Sequence, residues 1–267
     1  MEVLNLVLLF AAGCVSGFLG GLFGAAGWMV LVPILLVFFQ SSGVSSLVAT
    51  HMAVGTSLLI LAFTSAASAY GYHRTNQVVW RAVLFIGAAG IAGGVLGTLV
   101  TAEVSGKTLQ RAFAVVAAAA MLRLLAETRK PKSGSEPNIA SPGLLVTGFF
   151  VGGASAITGT DSGVFSLPLL YSRFFFPLKK AIGTSSAGMA FIAIAATAGY
   201  VILGWGKYLV PSASFGYVDI IHAFPIVAGS LLLMRPGNAF ADSKRVGMLR
   251  KIYAAFLLVV ALKMLLF

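Results

Sequence analysis

Long apolar runs, separated by short polar or glycine-bearing interruptions, recur along the whole of this 267-residue chain. Five precede the middle of the chain: A, about 3–24; B, about 27–40; C, about 47–72; D, about 78–101; and E, about 105–126. Five more follow in the same order: A′, about 143–159; B′, about 162–173; C′, about 178–204; D′, about 214–234; and E′, about 249–266. The runs lack the strict alternation of a barrel strand, and lipid admits only helices and closed barrels. Each run is therefore predicted to be a helix. B and B′ are short for a span of about 30 Å at 1.5 Å per residue. Each follows a break with a glycine at either end, Gly24 to Gly27 (GAAG) or Gly159 to Gly163 (GTDSG). This predicts helical hairpins that enter the bilayer and turn back. Full crossings by both arms leave the same parity, so the pattern predicts about eight to ten membrane segments in an all-α polytopic protein.

The two sets of runs answer one another. Gly13, Gly17, Gly24, Pro33 and Leu35 fall, without a gap, on Gly148, Gly152, Gly159, Pro168 and Leu170. After a shorter connection Gly55-Thr56-Ser57 answers Gly183-Thr184-Ser185, and Gly71-Tyr72 answers Gly199-Tyr200. This is an internal duplication. Residues 1–126 and 143–267 form the two repeats, and 127–142 form the linker, the one stretch of soluble composition.

Composition agrees with the pattern: 59% of the residues are apolar and 9% are charged, against about a quarter charged in a soluble domain. The net charge of +11 is spread through short loops, which excludes a nucleic-acid surface and reports orientation instead. With the linker inside the cell and the runs alternating, only Lys107, Arg111, Lys207 and Lys263 of the 18 basic residues fall outside. Both termini then lie outside, in the inner (plasma) membrane. The crossings after each hairpin are odd in number, so the halves are expected to have opposite orientation, as inverted repeats. The single Cys14 excludes an intramolecular disulfide framework and a zinc cluster. Glu2 and the lack of a basic leader point to a retained first helix.

Candidate chemistry gathers at the breaks. Interrupted helices at matching places in two halves mark transporter binding sites, and short helices starting there aim N–H groups and positive dipole ends at an anion. Gly24, Gly27, Gly159, Thr160 and Ser162 are candidates on that ground. Gly13, Gly17, Gly87, Gly90, Gly94 and Gly97 read as helix-packing glycines. Asp161 is the acidic residue at the tips, with Ala26 at its counterpart; it is a candidate for proton coupling or a cap for B′. Thr56, Ser57, Thr184, Ser185 and Ser186 put hydroxyls on both C helices. These suit an oxyanion, or else bond back to their own helices. His51 precedes the first step and offers switchable positive charge. Asp219 and His222 could pair in a polar pocket.

Enzyme motifs are missing. Gly106-Lys107-Thr108 has the end of a P-loop, with Thr101 where the first glycine belongs. No catalytic residue, cofactor or metal is expected. The expected partners are a small anionic substrate and the lipid bilayer, without nucleic acid, and with a homodimer as a possible assembly. The two glycine-bearing, proline-ended blocks, GAAGWMVLVPILL and GTDSGVFSLPLLY, together with their G-T-S steps, resemble the sulfite exporter TauE/SafE family over almost the whole chain. That resemblance implies a secondary transporter of sulfite, organosulfonates such as sulfoacetate, thiosulfate or small carboxylates. The lone Cys14 counts against a thiosulfate route built on several cysteines. The competing expectations are an anion channel of the same fold, and an integral-membrane enzyme or scaffold.

Overall fold

The computed structural model describes residues 2–126, 139, 142–161, 163–207, 209–211, 214–240 and 246–266. The described residues form ten α-helices. They are α1 (Glu2–Phe23), α2 (Leu31–Ser41), α3 (Ser46–His73), α4 (Trp80–Glu103) and α5 (Gly106–Ala126), then α6 (Gly143–Thr158), α7 (Gly163–Ser172), α8 (Leu178–Gly204), α9 (Ile220–Phe240) and α10 (Val246–Leu266). A 3-10 segment, Gly24–Val30, joins α1 to α2. Five helices, α1, α3, α4, α8 and α9, are long and apolar enough to cross a membrane by length and composition. The molecule is an all-α multi-pass membrane protein.

The apolar runs correspond to helices almost end for end, and C′ matches α8 over the same residues. B and D′ are the exceptions: B is expected from about residue 27, but a 3-10 segment runs to Val30 and α2 begins at Leu31. Residues 214–219 read as the start of a helix, but they form a tight turn in which Phe215 and Val218 bond each other's backbone at 2.9 and 3.1 Å. Tyr217 N donates to Tyr200 O at 3.2 Å, and the Gly204 backbone leaves room for no side chain beside the turn. Tertiary packing on α8 thus delays α9 to Ile220.

Glycines set the main helix pairings. Gly13 lies against the Ile226 backbone, Gly17 against Ser230 and Gly21 against Met234, so α1 and α9 advance together and run parallel. Gly148 lies against Ile86 and Gly152 against Gly90, and Gly97 meets Gly153, so α6 and α4 also run parallel. A Cβ at Gly13, Gly17, Gly148 or Gly152 would strike a backbone carbonyl of the facing helix, the close approach that small residues four apart permit in lipid. Gly13 and Gly17 answer Gly148 and Gly152, so one contact is built twice, each time between the first helix of one half and the fourth helix of the other. Gly87 and Gly94 instead face Phe191 and Ile192 of α8. Ser230 locks the α1–α9 pair, donating to Gly13 O at 3.1 Å and lying 3.2 Å from Ser16 Oγ.

The central pair runs the other way. Tyr200 packs on Gly55, Tyr72 packs on Gly183, and Ser68 Oγ lies 3.1 Å from Ser186 Oγ. The numbers rise on α3 as they fall on α8, so equivalent helices of the two halves pass antiparallel. Again one contact, glycine under tyrosine, is made twice with partners exchanged. α5 packs on α10 at the flank.

Helix ends consequently sort into two groups. The start of α3 meets the end of α4 through His51 and Thr101, and the start of α5 meets the end of α10. At the opposite end Gly183 and Tyr72 join the start of α8 to the end of α3. Arg74, Arg81, Arg173, Lys179 and Lys180 flank helix ends of the second group, whereas Lys107, Lys207 and Lys263 belong to the first.

Candidate functional site

Two interrupted hairpins converge on the middle of α3. Gly24, at φ +64°, turns the chain out of α1 and faces Leu167 of α7. Gly27 sits against the Leu19 backbone, and its carbonyl accepts from Tyr253 Oη at 3.3 Å. Gly159, at φ +67°, ends α6 in the left-handed conformation that glycine tolerates best. Its neighbours are Ser57 and Val54 of α3 and Val32 of α2. Ser57 lies near the midpoint of a helix about 42 Å long. The α6–α7 break therefore lies beside the middle of α3.

The duplicated Gly-Thr-Ser step divides its three residues among three tasks, because consecutive helical residues point about 100° apart. Gly55 and Gly183 admit the tyrosines of the facing helix. Thr56 Oγ1 accepts from Asp219 N at 3.0 Å, and Thr184 Oγ1 accepts from Val79 N at 3.1 Å. Each threonine thus holds the backbone that leads into α9 or α4, in matching positions. Ser57 and Ser185 face the hairpins. Ser57 Oγ donates towards Gly159 O at 2.6 Å, with Val54 O at 2.9 Å, and Ser185 Oγ lies 2.8 Å from Ser166 Oγ on α7.

Two buried hydroxyl groups result, Ser57 with Thr158 and Thr160 at the break and the Ser185–Ser166 pair farther along α7. Thr158 donates to Ala154 O at 2.7 Å and lies 2.9 Å from Thr160 Oγ1. Tyr200 Oη donates to Ala156 O at 2.9 Å. Asp161, 8% exposed, sits two residues before α7 and is the titratable residue of the tip. Ser57, Thr158, Thr160, Ser166 and Ser185 are all buried. Ser162 lies outside the described residues. Ser186 pairs with Ser68, on the α3–α8 seam adjoining the cluster.

Ser166, Thr158 and Ser68 went unmarked by sequence reasoning. A signal existed for the first two, since hydroxyl residues stand at 158, 160, 162 and 166 through the break. Ser68 lies on the α3 side that also carries Ser57 and Ser65. Thr64, Thr98, Thr147 and Thr197 bond back to their own helices, as Thr158 does to Ala154 O, the usual fate of a hydroxyl in an apolar helix.

His51 stands apart from the cluster, roughly 9 Å along α3 from Ser57. Its Nε2 lies 3.2 Å from Thr101 O, its ring stacks on Tyr217 at 5.2 Å, and Nδ1 is buried with no hydrogen-bond partner among the described residues. Lys207 Nζ lies 5.3 Å from the same Tyr217 ring. Nearby, His222 Nδ1 and Asp219 Oδ2 pair at 2.6 Å, the pairing expected from sequence. No cluster of metal-ligating residues occurs among the described residues.

Five helices long and apolar enough to span a membrane, with buried hydroxyls at a helix break, belong to an integral membrane protein rather than a soluble binding module. The family model for sulfite exporter TauE/SafE matches residues 9–264, and the chain belongs to that family. It is 29% identical over 264 residues to a probable membrane transporter protein of Haemophilus influenzae, covering 97% of both chains. A probable membrane transporter protein of Methanocaldococcus jannaschii is 26% identical over 235 residues, covering 86% of this chain and 85% of that protein. A third, from Bacillus subtilis, is 25% identical over 238 residues, covering 80% and 86%. No solved structure matches the chain.

Proposed function

We propose that this protein is a secondary transporter of small sulfur-containing oxyanions, sulfite or organosulfonates, that admits its anion together with a proton at the α6–α7 break. The observation that carries the reading is the set of buried hydroxyls Ser57, Thr158 and Thr160 at the break beside Asp161, with the Ser185–Ser166 pair farther along α7 and no basic side chain among these residues. Hydroxyl donors hold an oxyanion without the tight ion pair that a fixed cation would make. In the Ser185–Ser166 pair one hydroxyl donates to the other, leaving a proton to direct at a guest. Backbone N–H groups at the start of α7 add donors of the same sign. Thr56 and Thr184 support the site by fixing the entries to α9 and α4, while Gly24 and Gly27 shape the opposing tip. Ser162 belongs to the donor set by position, and Ser186 lies at its edge.

Asp161 makes the proton a required partner. An ionised carboxylate about 5 Å from a bound monoanion repels it by about 3 kcal/mol at an effective dielectric constant of 20. Neutralising Asp161 removes that penalty, so anion and proton enter together. The halves act as inverted repeats, a reading supported by the antiparallel passage of α3 and α8. The buried site at the break then opens to either side as the hairpins move. The excess of basic residues at one group of helix ends supports a cytoplasmic position for that group, with both termini outside and the chain in the inner membrane. His51, between the first group of ends and the cluster, lines the outer approach.

Titration of purified protein with sulfite, sulfoacetate, thiosulfate and a small carboxylate tests the substrate class. Saturable binding of sulfite or sulfoacetate, weakened by Ser57→Ala and Ser185→Ala, is the expected result. Binding of the carboxylate alone would sink the sulfur-anion assignment.

A further inference from the structure

A crevice of about 720 Å³ opens between α2, the start of α3, the start of α5 and the end of α10. It lies outside the hydroxyl cluster. Its walls are apolar side chains, among them Ile34, Val37, Leu47, Phe256 and Val259. Its polar lining is confined to helix ends: Gln40, Ser46, Ser105, Lys107, Gln110 and Lys263. Lys107 and Lys263 are both exposed. Gln110 is turned away from a ligand role in part, since its Nε2 donates to Thr50 Oγ1 at 2.8 Å.

Helix ends of a spanning bundle lie at headgroup level, whereas residues a few turns inward lie among acyl chains. The crevice therefore has an apolar body at chain depth and two ammonium groups at headgroup depth. We propose that it is a binding site for one anionic phospholipid. An acyl chain lies along α2 and α10, and the phosphate is held between Lys107 and Lys263.

The apolar walls cannot choose among lipids, because every bilayer lipid offers the same tail. Selectivity rests on the lysines. Each basic residue near an anionic surface favours an anionic headgroup roughly fivefold, so the pair gives a preference of about 25-fold over a zwitterionic lipid. The positions make this more than general attraction. Only four basic residues fall among the first group of helix ends in the sequence reading, and the fold brings two of them, 156 positions apart in sequence (263 minus 107), to one crevice.

The test is native mass spectrometry of the full-length protein titrated with phosphatidylglycerol and with phosphatidylcholine. The wild-type protein should retain one tightly held phosphatidylglycerol at concentrations about 25-fold below those needed for phosphatidylcholine. The Lys107→Gln/Lys263→Gln variant should lose that preference, and Lys107→Arg/Lys263→Arg should keep it. Arg111→Gln/Lys207→Gln removes equal charge from the same end without touching the crevice lining, and should leave binding unchanged. Equal retention of both lipids by the wild type would overturn the proposal. So would equal loss in the two Gln variants, which would reduce the effect to net charge. A dimer that forms in place of the bound lipid and breaks in the Lys107→Gln/Lys263→Gln variant would also reject it, in favour of a second copy.

Discussion

A double-mutant cycle at Gly159 and Ser57 examines the contact on which the site is built. Gly159 has φ +67°, where a residue with a Cβ is disfavoured by about 1–2 kcal/mol. A Cβ there would also stand 2.6 Å from Ser57 Oγ and 2.9 Å from Val54 Cα. Crowding of that kind adds about 1–3 kcal/mol, so Gly159→Ala should destabilise by about 2–5 kcal/mol. Ser57→Ala leaves the Gly159 carbonyl buried without its donor, at about 1–3 kcal/mol. In the double variant the carbonyl is still unpaired, but the Oγ that the new methyl would strike is gone, and only the contact with Val54 remains. The double variant should therefore lose about 1–2 kcal/mol less than the sum of the single variants. Melting temperatures in detergent read this directly, at about 2–4 °C per kcal/mol for a chain of this size. Additivity within about 0.5 kcal/mol is the behaviour of sites that do not touch. It would show that the α6–α7 break does not rest on Ser57.

Further outcomes follow from other contacts. Thr56→Val and Thr184→Val each remove the acceptor for one backbone amide, so melting should show matched losses of about 1 kcal/mol each; a large loss in one alone would contradict the equivalence of the two steps. Ser185→Ala should weaken anion affinity between a few-fold and about a hundredfold, measured by calorimetry, as expected for one hydrogen bond to a charged guest; unchanged affinity would remove Ser185 from the site. In a Cys14→Ala background, a membrane-impermeant thiol reagent applied to intact cells should label Ser42→Cys, at the turn between α2 and α3, but not Thr75→Cys, at the turn after α3. The reverse pattern would invert the assigned orientation while preserving the antiparallel repeats.

The helices were legible because lipid removes alternatives. An apolar run that must satisfy its own backbone is a helix, and glycine, proline and charge mark its ends. The packing glycines were legible for a related reason, as Gly13, Gly17, Gly148 and Gly152 stand four apart on apolar helices. The start of α9 was missed although residues 214–219 carry local signals, Gly216 at φ +55° in the turn and Asp219 accepting from His222 N at 3.1 Å as a cap, which the apolar run after them outweighed. Nor could one sequence reveal that the first helix of each half packs against the other half, since no local pattern encodes an exchanged partner. The hydroxyl step shows the limit most clearly. Thr56 and Ser57 are chemically alike neighbours, but a rotation of about 100° sends one to a loop amide and the other to the hairpin. His51 lies one and a half turns nearer the helix start, beside Tyr217 and the end of α4, which its place in the sequence next to the step did not convey.

The measurement that bears most directly on the account is accumulation against exchange in proteoliposomes carrying Asp161→Asn. Asparagine keeps the size of the side chain but cannot titrate. With labelled sulfite or sulfoacetate on both sides, the variant should exchange anion at rates near those of the wild type. Under an imposed proton gradient the wild-type protein should concentrate the anion and the variant should only equilibrate it. Concentration by the variant to wild-type levels would contradict the coupled entry of anion and proton at Asp161.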